Sequence, residues 1–219
     1  MATTQRLNKA RIVAAALAIA DEEGFAALSM RRVAQELGVA TMSLYYYAKS
    51  KAELISAMDD ALMAEILVPN LPEDWREALT AIAGRTRDVF VRHPWALSSM
   101  QSAPPGDNAM RHMEQCLGAL ATTGMTTKDK LTLLALVDDF VFGYALRETA
   151  EDPVVDMDAV KKRLATGIYP ELNRTFGKEL RMSIPNRFGL GLDAIFAKFG
   201  ERRVVRRTRH RRRRRKSVE

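Results

Sequence analysis

The sequence predicts an all-α protein in which a small N-terminal unit is joined, through a long helix, to a larger helical bundle. Three observations carry this. Alanine and leucine are abundant and the polar residues are mostly good helix formers. Apolar residues recur at mixed three- and four-residue steps, one face of a helix at a time. No alternating apolar–polar run is framed by turn residues, as a half-buried strand requires. Apolar residues make up 47% of the 219, enough for a substantial core.

The elements follow in order. Val13, Leu17 and Ala20 mark a first helix over 6–23, with Thr4 or Asn8 as its start and Gly24 as its stop. Ser29 is a good N-cap for a short helix over 30–37, which Gly38 ends. A third short helix spans about 40–47. Ser50 and Glu53 have capping-box spacing and open a long helix reaching about Leu67. Val68-Pro69-Asn70-Leu71-Pro72 is the clearest break, followed by a helix over 73–92. Ala103-Pro104-Pro105-Gly106-Asp107 reads as a loop between that helix and two more, over 108–123 and 128–149. An acidic loop over 151–158 and a segment interrupted by Gly167, Pro170 and Gly177 precede a last helix over 186–199.

The net charge of +7 belongs to the tail. Residues 201–219 hold 11 Lys and Arg against two Glu, leaving 23 basic and 25 acidic residues in the other 200. Such a block repels itself and is expected to be disordered. It suits non-specific contact with nucleic acid, or is a solvated tail without a role. One cysteine, Cys116, excludes an internal disulfide framework. With no leader pattern and no apolar run of about 18 residues, a soluble cytoplasmic protein is expected. The expected division is 1–50, 51–200 and the tail, 201–219.

Residues 33–47 fit two short helices crossed over a tight turn. Val33, Leu37, Val39, Leu44 and Tyr47 would close a small core, Ala34 is small where the helices meet, and Gly38 takes the turn. This is a helix-turn-helix, whose second helix enters the major groove of DNA. Thr41, Met42 and Ser43 head that helix, where short side chains approach base edges. Three consecutive tyrosines cannot all face one core, because successive helical positions lie about 100° apart. Tyr47 is expected inward; Tyr45 and Tyr46 are expected outward, where a phenol reaches a phosphate oxygen. Lys51 is placed for a phosphate, whereas Arg32 and Lys49 read equally well as solvated surface.

From Asp21-Glu22-Glu23-Gly24-Phe25 through Leu28 to Val39, Leu44-Tyr45-Tyr46-Tyr47 and Lys49 to Leu54, the chain resembles the tetracycline-repressor (TetR) family of bacterial transcription regulators. The likeness covers residues 6–56. A weaker resemblance, to the tetracycline-repressor type of C-terminal domain, rests on His93-Pro94-Trp95, Phe142-Gly143-Tyr144 in the helix over 138–148, and the run 188–192. The resemblance implies that the aromatics at 45 and 46 lie along DNA and that Arg31 reaches it. It also implies control by a small molecule, although a metal–tetracycline site is not recognisably matched here, except at His93.

No converging set of acids, bases or nucleophiles suggests catalysis, and His93, His112 and His210 share no metal-type spacing with Cys116. No cofactor is expected. Trp95, Met100, Met113, Phe140 and Tyr144, with His93 as polar anchor, are candidates for a pocket taking an apolar or aromatic effector, against the plainer reading as core. The apolar surfeit of the helices over 131–148 and 186–199 predicts a homodimer, Gly189 and Gly191 allowing close approach, and hence an inverted-repeat operator. The alternative is a nucleic-acid-binding helical protein without ligand control, in which the tail dominates binding. A further one is a small-molecule-binding protein whose first 50 residues have lost DNA affinity.

Overall fold

The structure is a computed structural model, described for residues 6–100, 105–150, 156–176 and 186–200. Its helices are α1 (Lys9–Glu22), α2 (Met30–Leu37), α3 (Thr41–Tyr45), α4 (Lys51–Ile66), α5 (Trp75–Arg92), α6 (Ala96–Ser99), α7 (Asp107–Ala119), α8 (Thr127–Thr149), α9 (Met157–Leu164), α10 (Pro170–Phe176) and α11 (Arg187–Gly200). A 3-10 turn, Phe25–Ala27, follows α1. No strand occurs among the described residues, so the chain is all-α there. No helix among them is long and apolar enough to cross a membrane.

Side-chain caps set several of these helices. Asn8 accepts the Arg11 N–H at 2.9 Å, Ser29 that of Arg32 at 3.1 Å, and Ser50 that of Glu53 at 3.1 Å. Glu53 reaches back to the Lys49 N–H at 2.7 Å, one residue earlier than a standard capping box. Each such cap contributes about 1 kcal/mol.

Four expectations need correction. The third helix is shorter, Thr41–Tyr45, because Tyr46 to Lys49 turn toward the Ser50 cap. The acidic stretch is helical from Met157, where Asp156 accepts the Asp158 and Ala159 N–H groups at 3.0 Å. Pro170 starts α10 instead of breaking it: at a first helical position its missing N–H is one no helix would use. A short α6 follows His93-Pro94-Trp95, where no separate helix was expected. Thr4, Gly177 and the tail, 201–219, lie outside the described residues.

Two hydrophobic cores result. The N-terminal one gathers Ile12, Ala16, Ile19, Leu28, Val33, Leu44, Leu54 and Met58. The larger gathers Leu62, Leu79, Phe90, Leu120, Leu133, Val141, Leu192 and Phe196. The long α4 contributes to both, Leu54 and Met58 to one and Leu62 and Ile66 to the other. Trp95 packs against both.

Polar clamps hold α7 against α4. Asp60 accepts the Asn108 N–H at 2.8 Å, capping α7 from another helix, and Gln115 bonds both the N–H and the carbonyl of Val68, at 3.1 and 2.6 Å. A Cβ on Gly106 would lie 2.3 Å from Asp60 Oδ1, so this position must stay bare for the cap to form. Across the bundle, Arg87 of α5 forks onto Glu148 of α8.

Candidate nucleic-acid interface and the joint behind it

The turn between α2 and α3 is built by Gly38, whose φ of 66° is left-handed. The Val39 N–H reaches the Ala34 carbonyl at 3.0 Å and the Gly38 N–H that of Gln35 at 3.2 Å, the two bonds of a Schellman ending. Val33, Ala34 and Leu44 are buried at the crossing. With Leu44 inward, the opposite side of α3 faces out: Met42 is 77% exposed, Tyr46 85% and Tyr45 41%. Ser43 is exposed as well, and Thr41 is half-buried.

Tyr47 turns inward, its hydroxyl donating to the Leu7 carbonyl at 2.9 Å and its ring packing on the N-terminal core. Tyr46 stands edge-on to it, with centroids 5.2 Å apart. Arg31 and Lys51 are exposed, the Lys51 Nζ lying 6.0 Å from the Phe25 ring centre. The structure therefore brings Arg31, Thr41, Met42, Ser43, Tyr45, Tyr46 and Lys51 onto the outside of one small unit. Arg32 is different. It bonds Glu23 at 3.0 Å and Glu36 at 2.9 Å, tying α2 to the end of α1, and this pairing holds the Glu23 carboxyl below its usual range.

The candidate pocket residues divide among separate surroundings. One oxygen of Asp21, on α1, takes both Trp95 Nε1 at 2.7 Å and His93 Nδ1 at 2.8 Å. Trp95 also stacks on Phe25, with centroids 5.3 Å apart and planes 6° apart. His93 Nδ1 and Trp95 Nε1 thus join the N-terminal unit to the bundle, while His93 Nε2 lies 3.5 Å from the Arg92 guanidinium. Phe140 and Tyr144 instead pack with Phe188 of α11, at 5.5 and 5.0 Å between ring centres. Met113 is exposed on α7, and Met100 packs on the larger core.

Sequence reasoning missed a set of enclosed polar groups. Asp59 of α4 is 6% exposed; Ser99 of α6 donates to its Oδ1 at 2.7 Å, and its Oδ2 is buried without a partner. Burial raises the Asp59 carboxyl, and the Ser99 bond partly offsets this. The Nδ1 of His112, on α7, is also buried without a partner, and burial lowers that imidazole toward its neutral form. Its Nε2 lies 3.7 Å from Cys116 Sγ. Burial, then the charge of Asp138, pushes the Cys116 thiol up to about 12, so it is no ready thiolate. Asp138 keeps one side open to solvent, yet crowding by the protein, then Asp139, raises its carboxyl to about 6. An acidic residue amid the apolar run of the α4 helix was the one legible signal. Among the described residues no group of three or more His, Cys, Asp or Glu is placed to hold a metal ion.

Residues 12–58 match the family of bacterial regulatory proteins of the tetR type, and residues 68–198 match the tetracyclin repressor-like C-terminal domain. The HTH-type transcriptional repressor DrrR1 of Streptomyces coeruleorubidus is 38% identical over 205 residues, covering 84% of this chain and 74% of that protein. The crystal structure of apo ActR from Streptomyces coelicolor has a TM-score of 0.74 at 32% identity, covering 88% of this chain and 94% of that one. ActR in complex with actinorhodin has a TM-score of 0.70 at 28% identity, covering 89% and 95%. With both halves matched over the two cores that the fold builds, the chain belongs to the TetR family of bacterial transcription regulators.

Proposed function

We propose that the protein is a repressor that binds an inverted-repeat DNA operator as a homodimer and leaves it when a small apolar or aromatic molecule binds the bundle. Residues 1–50 read DNA; residues 51–200 bind the effector and pair the two copies. One observation supports the DNA reading above others: Val33, Ala34 and Leu44 are buried at the crossing of the helix-turn-helix, while Met42, Tyr45 and Tyr46 stay exposed on its outside. In this reading Thr41, Met42 and Ser43 meet base edges, and Arg31, Tyr45, Tyr46 and Lys51 hold the backbone. DrrR1, a relative, is a repressor, and ActR is seen with actinorhodin, which supports repression relieved by a ligand.

Release requires that the effector favour a dimer whose heads are wrongly spaced, since equal affinity for both states shifts nothing. The α4 helix, shared by both cores, is the lever. The test is selection of bound sites from random DNA with the full chain, followed by competition with a small-molecule library. An inverted repeat released by at least one compound is expected. A selected site without twofold symmetry overturns the operator reading, and retention of the site against every compound overturns ligand control.

A further inference from the structure

The chain is held at three points as it enters α1. The Asn8 side chain accepts the Arg11 N–H at 2.9 Å and caps the helix. Leu7 and Ile12 have the spacing of a hydrophobic staple and pack into the same N-terminal core. The third hold comes from 40 residues away, where the Tyr47 hydroxyl donates to the Leu7 carbonyl at 2.9 Å. The α1 ladder starts one residue later, with the Asn8 carbonyl accepting the Ile12 N–H at 3.2 Å. The helix itself therefore makes no use of the Leu7 carbonyl. A phenylalanine at 47 would bring the same ring to the core. What the phenol adds is a grip on the residues just before α1.

The residue which that grip places is Arg6. It is exposed, and among the described residues it takes part in no ion pair. Arg32, by contrast, is engaged by Glu23 and Glu36. No acidic residue stands in the first turn of α1, where a helix most favours one, so that turn offers Arg6 no local counter-charge. The position also borders the outward tyrosines. Leu7 is bonded to Tyr47, and the Tyr47 ring lies 5.2 Å, centre to centre, from that of the exposed Tyr46.

We infer that Tyr47 is a positioning residue for DNA: through the Leu7 carbonyl it fixes Arg6 at the edge of the reading surface, where the guanidinium takes a backbone phosphate beside the one met by Tyr46. This rests on the DNA reading above and adds to it a contact from outside the helix-turn-helix. A guanidinium suits the task because its planar fork can donate two hydrogen bonds to one phosphate. The grip matters because a long side chain on an untethered backbone must give up more freedom on binding. A phosphate contact carries no sequence information, so its loss should weaken every duplex alike.

The test measures binding of the full chain to the inverted repeat selected from random DNA and to a scrambled duplex of equal length. Salt is varied, and the temperature is kept well below the melting of every variant. Arg6→Ala is expected to weaken both duplexes by the same factor, about fivefold per head. It should also lower the slope of log affinity against log salt by about 0.9 per head, whereas Arg6→Lys should keep that slope. Tyr47→Phe keeps the ring and should weaken both duplexes about twofold or more. In the Arg6→Ala background the same change should have no further effect, a result that a merely structural hydroxyl would not give. An equal loss from Tyr47→Phe with and without Arg6, an unchanged slope in Arg6→Ala, or full affinity in Tyr47→Phe each overturns the assignment. If Tyr46→Ala and Lys51→Ala weaken binding while Arg6→Ala does not, this contact falls and the DNA reading stands. If the full chain binds neither duplex, both fall.

Discussion

Tyr46 is 85% exposed and touches Tyr47 edge-on, while Tyr47 carries the packing and the bond to Leu7. Its expected role is on the DNA backbone, so Tyr46→Ala should weaken all sites alike, whereas Thr41→Ala should alter the selected sequence. Lys51→Ala should lower the slope of log affinity against log salt by about 0.9, the release of one counterion. A changed sequence preference in Lys51→Ala with none in Thr41→Ala would reverse these roles. Trp95 needs a different test, because its Nε1 and ring serve the joint to Asp21 and Phe25. Trp95→Phe keeps a ring on Phe25 but loses the bond, and a melting temperature lower by a few degrees is expected, as for a part-exposed hydrogen bond to a carboxylate worth about 1–2 kcal/mol. No change on melting would remove that bond from the joint.

Among the elements, α8 and α11 show how apolar surfeit divides. Leu133, Leu134, Val137 and Val141 of α8, and Leu192 and Phe196 of α11, fill the chain's own core, leaving Leu131, Leu136, Leu146 and Leu190 outside. Gly191 permits the approach of these helices within one chain: a Cβ there would lie 2.3 Å from the Phe140 ring. Gly191→Ala should therefore destabilise by about 1–3 kcal/mol through overpacking, read by denaturant melting. Asp138 offers a pH test. Its folded carboxyl titrates near 6, above its value in an unfolded chain, so the native state holds the proton longer and loses stability as pH rises from about 4 to 6. Asp138→Asn should melt higher than the parent at pH 7, with the gap closing by pH 4; because Asp138 retains water contact, the gain is modest. A gap that is constant with pH would sink this. The caps at Ser29 and Ser50, the Gly38 turn and the sorting of the tyrosines were legible in sequence, since each depends on residues within a few positions. The partners of His93 and Trp95 were not: Asp21 lies more than seventy positions earlier, and periodicity says nothing of so distant a contact.

For the whole molecule, membership in a family of transcription regulators sets the class: this is not an enzyme. Leu190, 55% exposed on α11, belongs to the surface proposed to pair two copies. Leu190→Asp should shift the protein toward monomer in sedimentation at micromolar concentration and weaken binding to a full inverted repeat far more than to a half-site. A dimer of unchanged strength would move the interface elsewhere. Deleting 201–219, with its 11 Lys and Arg, should lower affinity for all DNA and flatten its salt dependence while leaving the selected sequence intact.

The single Asp21 oxygen that receives both His93 and Trp95 bears on how such proteins can be recombined. A hybrid made by grafting this head onto another regulator's bundle would keep its acceptor but lose both donors, and Phe25 would lose the indole that covers it. Under the proposed ligand control, such a chimera is expected to keep its DNA site and lose release by whatever the new bundle binds. Carrying the His93-Pro94-Trp95 corner across with the head would retain both donors to Asp21 and the ring on Phe25.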